Sequence, residues 1–406
     1  AESFRVLGAT RRNRQRLLRP PPSPQAMGKA RKEAPSKKVS GDAFFDPPAL
    51  DDYVFKGGLR LVKPYHYDFR AHVKDRWIGR SLIDAFSHEF PARPREYYEN
   101  AVENGRLRVE GRTGSKELLD APLHSGELIR HLIHRHEPPV SDTPVGVIAE
   151  EPDIVAVSKP ASMPVHPTGQ YRKNTVTAIL AAERHDLGRL YTVHRLDRNV
   201  SGILIFARSS TSATKLSNMI QNGEVCKEYV ARVRGSFPDG VRVIDAPIHH
   251  CPRARVSTVV SEEEGGKPAR TIFTRLSASA DGKTSLVACR PITGRTHQIR
   301  LHLQQTGFPI ANDEAYGGEA APELERGEGE LEVEAAHRDE HCYHCPRFAP
   351  ADWPVEVEPI YLHAHRYSGA EWSFVSPVPA WAQVCGDPVE LPRDWWKESE
   401  AEAAAR

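Results

Sequence analysis

The alternation of apolar and polar positions divides the chain into a short helical stretch and a longer one rich in strands. In RWIGRSLIDAFSHEF, residues 76–90, Ile78, Leu82, Ile83, Phe86 and Phe90 recur at helical spacing, the mark of a helix with one buried face. REYYENAVENGRLRVEGR predicts a second helix stopped by Gly105, a short strand at Leu107–Val109 and a turn at Gly111. LHSGELIRHLIHRHEPP adds a turn and a strand before Pro138 and Pro139. From about residue 144 the period changes. GVIAEEPDIVAVSKP supplies two strands, VTAILAAERH a helix, and SGILIFARS a strand whose unbroken apolar run predicts burial on both faces. TSATKLSNMI returns to helix, with Ala213, Leu216, Met219 and Ile220 on one side. KEYVARVRG, ARTIFTRLSAS and TSLVACRPI read as strands. RTHQIRLHLQQTG reads as a helix with Thr296 as N-cap and Gly307 as its stop. PIYLHAHRYSG and EWSFVSP close the series. Many strands with few helices predict an α+β domain on a mixed, mostly antiparallel sheet with flanking helices, preceded by a small α+β unit.

The 406 residues are enough for two or three domains. The expected boundaries are a basic segment over 1–43, a lead-in over 44–75, the small unit over 76–138, the strand-rich domain over 139–380 and a tail over 381–406. Within the large domain, residues 317–355 are acidic and of low complexity, and are expected to form a mobile insertion. Hydrophobic residues make up 39% and charged residues 27%, a soluble globular balance. No run approaches the ~18 apolar residues of a membrane span, so no membrane insertion is expected.

The net charge of +1 conceals an uneven distribution. Residues 1–41 carry eleven Lys or Arg against two Glu, residues 171–234 eleven basic against five acidic residues, and residues 313–340 eleven acids against two Arg. A basic central region attracts polyanions. The six cysteines are scattered, which predicts reduced thiols, hence cytoplasm or nucleus, rather than a disulfide framework. The start, with RRNRQRLLRPPPSPQ and its first methionine at Met27, suits an organelle transit segment (mitochondrion or chloroplast), a disordered basic arm or an upstream extension, and these remain open.

HRLDRNVSGILIFARS, residues 194–209, resembles the central motif of the RluA-type RNA pseudouridine synthases. Three further stretches match that family in order: IVAVSKPASMPVHPTG before it, KEYVARVRG after it, and PITGRTHQIRLHLQQTGFPIANDEAYG with the closing YLHAHRYSG. The helix–helix–NGRLRVEG unit ahead of them resembles the S-four-like (alpha-L) RNA-binding domain, although an ordinary α+β unit would read alike. HRHEPPV between the two resembles the eukaryotic branch, whose members act mostly on tRNA.

The resemblance implies an isomerase that breaks the glycosidic bond of a uridine, holds the free base and rejoins it through carbon 5. Such chemistry oxidises nothing and adds nothing, so no cofactor and no metal are expected. It needs a carboxylate at the anomeric carbon, as nucleophile or as stabiliser of positive charge. Asp197 matches the family's catalytic aspartate; alone, it would read as a surface carboxylate neutralised by arginines. Arg295 matches the basic residue that pairs with it, where a bidentate guanidinium suits a carboxylate; a phosphate clamp at the start of that helix is the lesser alternative. Tyr229 matches the active-site tyrosine, able to stack on a base and move a proton, or a core tyrosine on a half-buried strand. Alternation sets Lys227 on the same face as Tyr229, and Thr296 joins them as a substrate contact. Arg195 is expected to enter the RNA stack as the target base flips out, or to contact phosphate. Leu362 is expected to pack against Tyr229. RNA, tRNA first, is the expected partner, and the chain is expected to act as a monomer. A non-catalytic RNA-binding protein on the same scaffold is the rival reading; the presence of all three catalytic residue types favours the enzyme.

AHRDEHCYHCPRF holds His337, His341, Cys342, His344 and Cys345. Cys-x-x-Cys with histidines nearby is half of a zinc site. No second half is evident, which favours a plain loop in the insertion.

Overall fold

The computed structural model describes residues 47–91, 93–113, 120–251, 256–319, 332–342, 344–349, 359–384, 387–388, 391–392 and 394–397. The expectations for the basic start of the chain and for the last residues of the tail lie outside these.

The small N-terminal unit is a layer of helices on a sheet. β1 (Tyr53–Lys56) and β2 (Leu59–Val62) form a hairpin. β3 (Tyr65–His72) pairs along its length with β5 (Leu128–Arg135), which also pairs with β4 (Leu107–Val109). α1 (Leu82–Glu89) and α2 (Arg95–Glu103) cover this sheet, and Leu82, Ile83, Phe86, Tyr98, Val102, Leu107, Val109 and Ile129 make its core. α1 starts later than the spacing predicts. Gly79 adopts φ +79°, and the Ser81 hydroxyl then caps the helix by accepting the Asp84 N–H at 3.1 Å. Ile78 and Phe90 fall outside it and are exposed. α2 ends at Asn104 and Gly105, the latter at φ +68°, as expected.

Residues 44–75 are more than a lead-in. β3 supplies an edge of the N-terminal sheet, and Tyr53 and Val62 of the hairpin are buried in the core of the following domain. β6 (Val140–Ser141) pairs with β2 across the junction. There the buried Glu137 carboxylate accepts the main-chain N–H groups of Arg172, Lys173 and Asn174 at 2.8–2.9 Å and the Tyr65 hydroxyl at 2.6 Å.

The large domain follows with β7 (Gly146–Glu150), β8 (Ile154–Lys159), α3 (Val176–Glu183), β9 (Tyr191–Thr192), β10 (Ser201–Ala207), α4 (Ser210–Gln221), β11 (Cys226–Arg234) and β12 (Val241–Asp245). After the hairpin β13 (Ile248–Cys251) and β14 (Val256–Val259) come β15 (Arg270–Ala278), β16 (Thr284–Pro291), α5 (Gln298–Gln305), β17 (Leu362–Ser368) and β18 (Ser373–Val375). The sheet runs β12-β15-β16-β11-β17-β10-β8-β7, with β9 beside β10 and β18 beside β17. Its pairings among the described residues are antiparallel except β10 with β17. The mixed, mostly antiparallel expectation therefore holds. Gly202–Ala207 of β10 are all buried, as the apolar run predicts.

The parallel contact rests on Gly202, which sits opposite Ala364 with φ +111°. A Cβ there would lie 2.1 Å from the Ala364 carbonyl oxygen. Gly202→Ala is therefore expected to cost at least about 2 kcal/mol from backbone strain and forced separation of β10 from β17. Gly240→Ala is the control: its φ of +79° is also positive, but nothing lies within 4 Å of the added Cβ. Equal denaturant midpoints for the two variants would contradict this account.

The acidic insertion is not wholly a mobile loop. Val333 and Asp339 are buried. Asp339 accepts Arg106 Nη1 at 2.7 Å and faces His66 Nε2 at 2.5 Å, which holds this segment on the N-terminal unit. Residues 320–331 and 350–358 lie outside the described residues.

Candidate active site

The loop between β9 and β10 presents Asp197. Leu196 and Val200 are buried on either side of it, so the carboxylate turns outward, 23% exposed. Main-chain and side-chain bonds fix the loop. Val200 N–H donates to Asp197 O at 3.1 Å, and His194 Nε2 accepts the Ile205 N–H at 3.0 Å. Beneath it, the fully buried Lys159 ammonium donates to the carbonyls of Pro160, Met163 and Arg198, each at 2.9 Å. An ammonium has three N–H donors, and here all three are matched. Burial pushes its pKa down to about 7, against the pull of Asp197.

The cation that meets Asp197 is Arg300. Its Nη1 donates to Asp197 Oδ2 at 3.1 Å, while Nε and Nη2 fork onto Asp313 at 2.5 and 2.7 Å. Arg300 is 8% exposed and Asp313 only 2%. Burial opposes the guanidinium charge, but Asp313 and then Asp197 outweigh it and leave the pKa raised. Asp313 thus anchors the cation from behind and leaves one arm for Asp197. His297 Nε2 lies 3.6 Å from the same Asp197 oxygen, and its Nδ1 meets the Tyr316 hydroxyl at 2.7 Å. Burial lowers the His297 pKa, so the ring is mainly neutral at pH 7.

Arg295, expected as the partner of Asp197, is placed differently. Its Nε donates to the Pro268 carbonyl at 2.9 Å, and its main-chain N–H donates to Gln298 Oε1 at 3.0 Å. The reason is where the helix begins. His297 occupies the N-cap with φ +58°, so α5 starts at Gln298. Arg295 stays in the exposed turn ahead of it, and Arg300 comes round onto the buried face. The same turn removes Thr296 from its expected role: the cap is His297, and Arg295, His297 and Arg300 form the cavity wall here. Left-handed backbone at a non-glycine residue is uncommon and recurs at functional sites.

These residues open onto a cavity of about 860 Å³. Its floor comes from β17, one strand of the parallel contact, and from its other neighbour β11. Tyr229 of β11 and Tyr367 of β17 join hydroxyl to hydroxyl, and burial raises both phenol pKa values, so both stay protonated at neutral pH. Lys227 lines the same floor, its pKa lowered by burial. Leu362 lines it too, opposite Ala231 in register, while Tyr229 is opposite Ala364. Arg195 is exposed on the wall, and Ile220, expected on the apolar face of α4, reaches it as well. Five expected site residues, Asp197, Tyr229, Lys227, Leu362 and Arg195, thus converge on one cavity, with Arg295 on its wall.

Among the described residues Asp197 is the only carboxylate on the wall. Ordinary glycoside hydrolysis uses two carboxylates across the scissile bond. One carboxylate, a buried cation behind it and an aromatic floor suit a glycosidic bond that is broken and remade without water as the acceptor.

Residues 153–305 match the family model for RNA pseudouridylate synthase. The chain is 42% identical over 373 residues to RNA pseudouridine synthase 7 of Oryza sativa subsp. japonica, covering 83% of this chain and 93% of that one. It is 36% identical over 370 residues to the mitochondrial tRNA pseudouridine(32) synthase of Saccharomyces cerevisiae, covering 82% and 78%. It is 35% identical over 450 residues to pseudouridylate synthase RPUSD2 of Mus musculus, covering 89% and 77%. The chain belongs to the RNA pseudouridine synthases. The RluA-type resemblance of the four ordered motifs is borne out, and with it the isomerase class and an RNA substrate. Among the described residues, no helix is long and apolar enough to cross a membrane.

Proposed function

We propose that this pseudouridine synthase isomerises a uridine of tRNA, with Asp197 as the catalytic carboxylate. The observation that carries the assignment is the Asp197–Arg300 contact at 3.1 Å on the wall of the cavity. Relatives of this chain bear the names tRNA pseudouridine(32) synthase and tRNA pseudouridine(31) synthase, which supports tRNA as the substrate.

The flipped uridine presents its anomeric carbon to Asp197. The carboxylate attacks C1′ or stabilises its positive charge as the bond to N1 breaks and the bonding pair leaves with the uracil. The detached ring turns over the Tyr229 face, and C5 displaces the carboxylate or captures the cation at C1′. C5 then loses its proton while N1 gains one, so the product is an isomer and Asp197 is regenerated. The protonated phenol of Tyr229 is placed to stack and to relay a proton. Arg300 holds the Asp197 carboxylate in place, and exposed Arg195 fills the gap left by the flipped base or holds a flanking phosphate. The chain acts as a monomer in this scheme, in cytoplasm or nucleus, or in an organelle if residues 1–41 are a transit segment, in keeping with the mitochondrial name of the yeast relative. The test is pseudouridine mapping in RNA from cells with and without the protein. A lost site in tRNA is expected; a loss confined to ribosomal or messenger RNA would overturn the substrate assignment.

The N-terminal unit is the S-four-like docking surface of this scheme. Deleting residues 76–138 would remove β5 and leave β3 without its pairing partner, so charge removal is the cleaner test. Arg80 is exposed and Arg108 partly exposed on this unit, and Arg80→Ser with Arg108→Ser is expected to weaken tRNA binding and flatten its salt dependence, by about 0.7–0.9 in log–log slope for each phosphate no longer neutralised. Unchanged affinity and slope would place the docking surface elsewhere.

A further inference from the structure

We propose that His134, His136, Cys342 and Cys345 bind one zinc ion that fastens the acidic insertion to the N-terminal unit. The half-site visible in the insertion, Cys342-x-x-Cys345, meets its other half in LIHRHEPP, about two hundred residues earlier in the chain. One donor atom from each of the four residues lies within 4.8 Å of the other three.

Four of the six donor separations fit one tetrahedral ion. With Zn–S near 2.3 Å and Zn–N near 2.0–2.1 Å, the edges of a tetrahedron are about 3.3 Å between nitrogens and about 3.5–3.6 Å between nitrogen and sulfur. Here His134 Nδ1 and His136 Nε2 are 3.3 Å apart. Cys342 Sγ is 3.4 Å from His136 Nε2, and Cys345 Sγ is 3.6 Å from His134 Nδ1 and 3.7 Å from His136 Nε2.

The outer hydrogen bonds select the ligand nitrogens independently. His134 Nε2 faces the His337 carbonyl at 3.0 Å, and a carbonyl can only accept, so that nitrogen carries the proton and Nδ1 presents its lone pair. His136 does the reverse, with Nδ1 on the Phe348 carbonyl at 3.0 Å and Nε2 presented inward. Histidine ligands of metals commonly donate their other N–H to a carbonyl or carboxylate in this way. Both lone pairs point into one small space shared with two thiols, and both rings are buried. Two histidines and two cysteines with no place for a substrate make a closed structural site rather than a catalytic one. Binding would release two thiol protons and leave a neutral Zn(Cys)2(His)2 centre. The insertion leaves the large domain after α5 and returns to it at β17, while His134 lies on β5 and His136 just beyond it. The ion would therefore tie the insertion to the N-terminal unit, where Asp339 already holds it through Arg106 and His66.

The test uses the full chain and does not depend on its catalytic reading. Protein expressed with zinc is expected to carry close to one zinc per chain by mass spectrometry. Cobalt(II) added to chelated, reduced protein is expected to give the visible bands of a tetrahedral site with thiolate ligands. Cys342→Ser with Cys345→Ser should abolish both signals, and Cys251→Ser should preserve them. Because the double variant could fail to fold, alkylation of the unaltered protein gives a second reading: zinc should protect Cys342 and Cys345 from iodoacetamide, while Cys251 reacts at the same rate with and without the metal. Absence of zinc after reconstitution, a disulfide between Cys342 and Cys345 under reducing conditions, or equal alkylation with and without zinc would each overturn the proposal.

Discussion

Asp197→Asn is expected to abolish isomerisation while leaving the fold and RNA binding nearly intact. Asparagine keeps the shape of the side chain and one acceptor oxygen, and Asp197 is partly exposed, so little packing is at stake. The Arg300 guanidinium stays anchored, because its other two arms remain on Asp313. What disappears is the negative charge that the proposed mechanism places at C1′. Loss of such a group is expected to cost several orders of magnitude in rate, each factor of ten being about 1.4 kcal/mol of barrier. Affinity should hold or rise slightly, since one negative charge near a polyanion is gone. The measurement is tritium release from carbon 5 of uridine in transcribed tRNA, with circular dichroism as the check on folding. Retention of more than about a tenth of the activity, a loss under ~1.4 kcal/mol, would remove Asp197 from the chemistry.

The route to Asp197 was legible because the signals that mark it are local. Four short motifs in order, an apolar run after the aspartate and a Lys-x-Tyr strand all read directly from the chain, and β10 and β11 form where those patterns place them. Its cation was misplaced because RTHQIR offers two arginines five residues apart, and the left-handed turn at His297 decides which one faces inward. A usable signal was present: Arg300 sits directly between the apolar residues Ile299 and Leu301, and a charge buried there needs a partner. β3 was missed although Tyr65, Tyr67, Phe69 and Ala71 alternate with polar residues, because its pairing partner β5 lies some sixty positions away. The same distance problem hid the contact of Cys342 and Cys345 with His134 and His136. Local period reveals an element, but neither the partner across a long loop nor the face that a non-glycine left-handed residue selects.

Arg300→Met is expected to be nearly as severe as the loss of Asp197, and for two separable reasons. The first is stability. Asp313 is 2% exposed, and its carboxylate is held by the guanidinium fork. Removing one partner of a buried pair leaves the other desolvated and typically costs about 3–5 kcal/mol, so the melting temperature should fall. Asp313→Asn combined with Arg300→Met removes the stranded charge and should recover part of that stability without recovering activity. The second reason is positioning. Without Arg300, Asp197 loses the guanidinium arm that meets it at 3.1 Å, and with it a charge-assisted hydrogen bond that fixes the carboxylate on the cavity wall. Activity in Arg300→Met should therefore stay low even at temperatures where the variant remains folded. Arg300→Lys retains the charge but not the fork, and should fall between the two. Arg295→Met provides the contrast. Arg295 reaches the Pro268 carbonyl rather than Asp197, so its loss should weaken RNA binding modestly and leave turnover of bound tRNA nearly unchanged. The measurements are tritium release at saturating concentration of a common tRNA transcript and thermal unfolding of each variant. If Arg295→Met abolished turnover and Arg300→Met did not, the cation would be assigned to the wrong arginine and the geometry described for Asp197 would not be the working one.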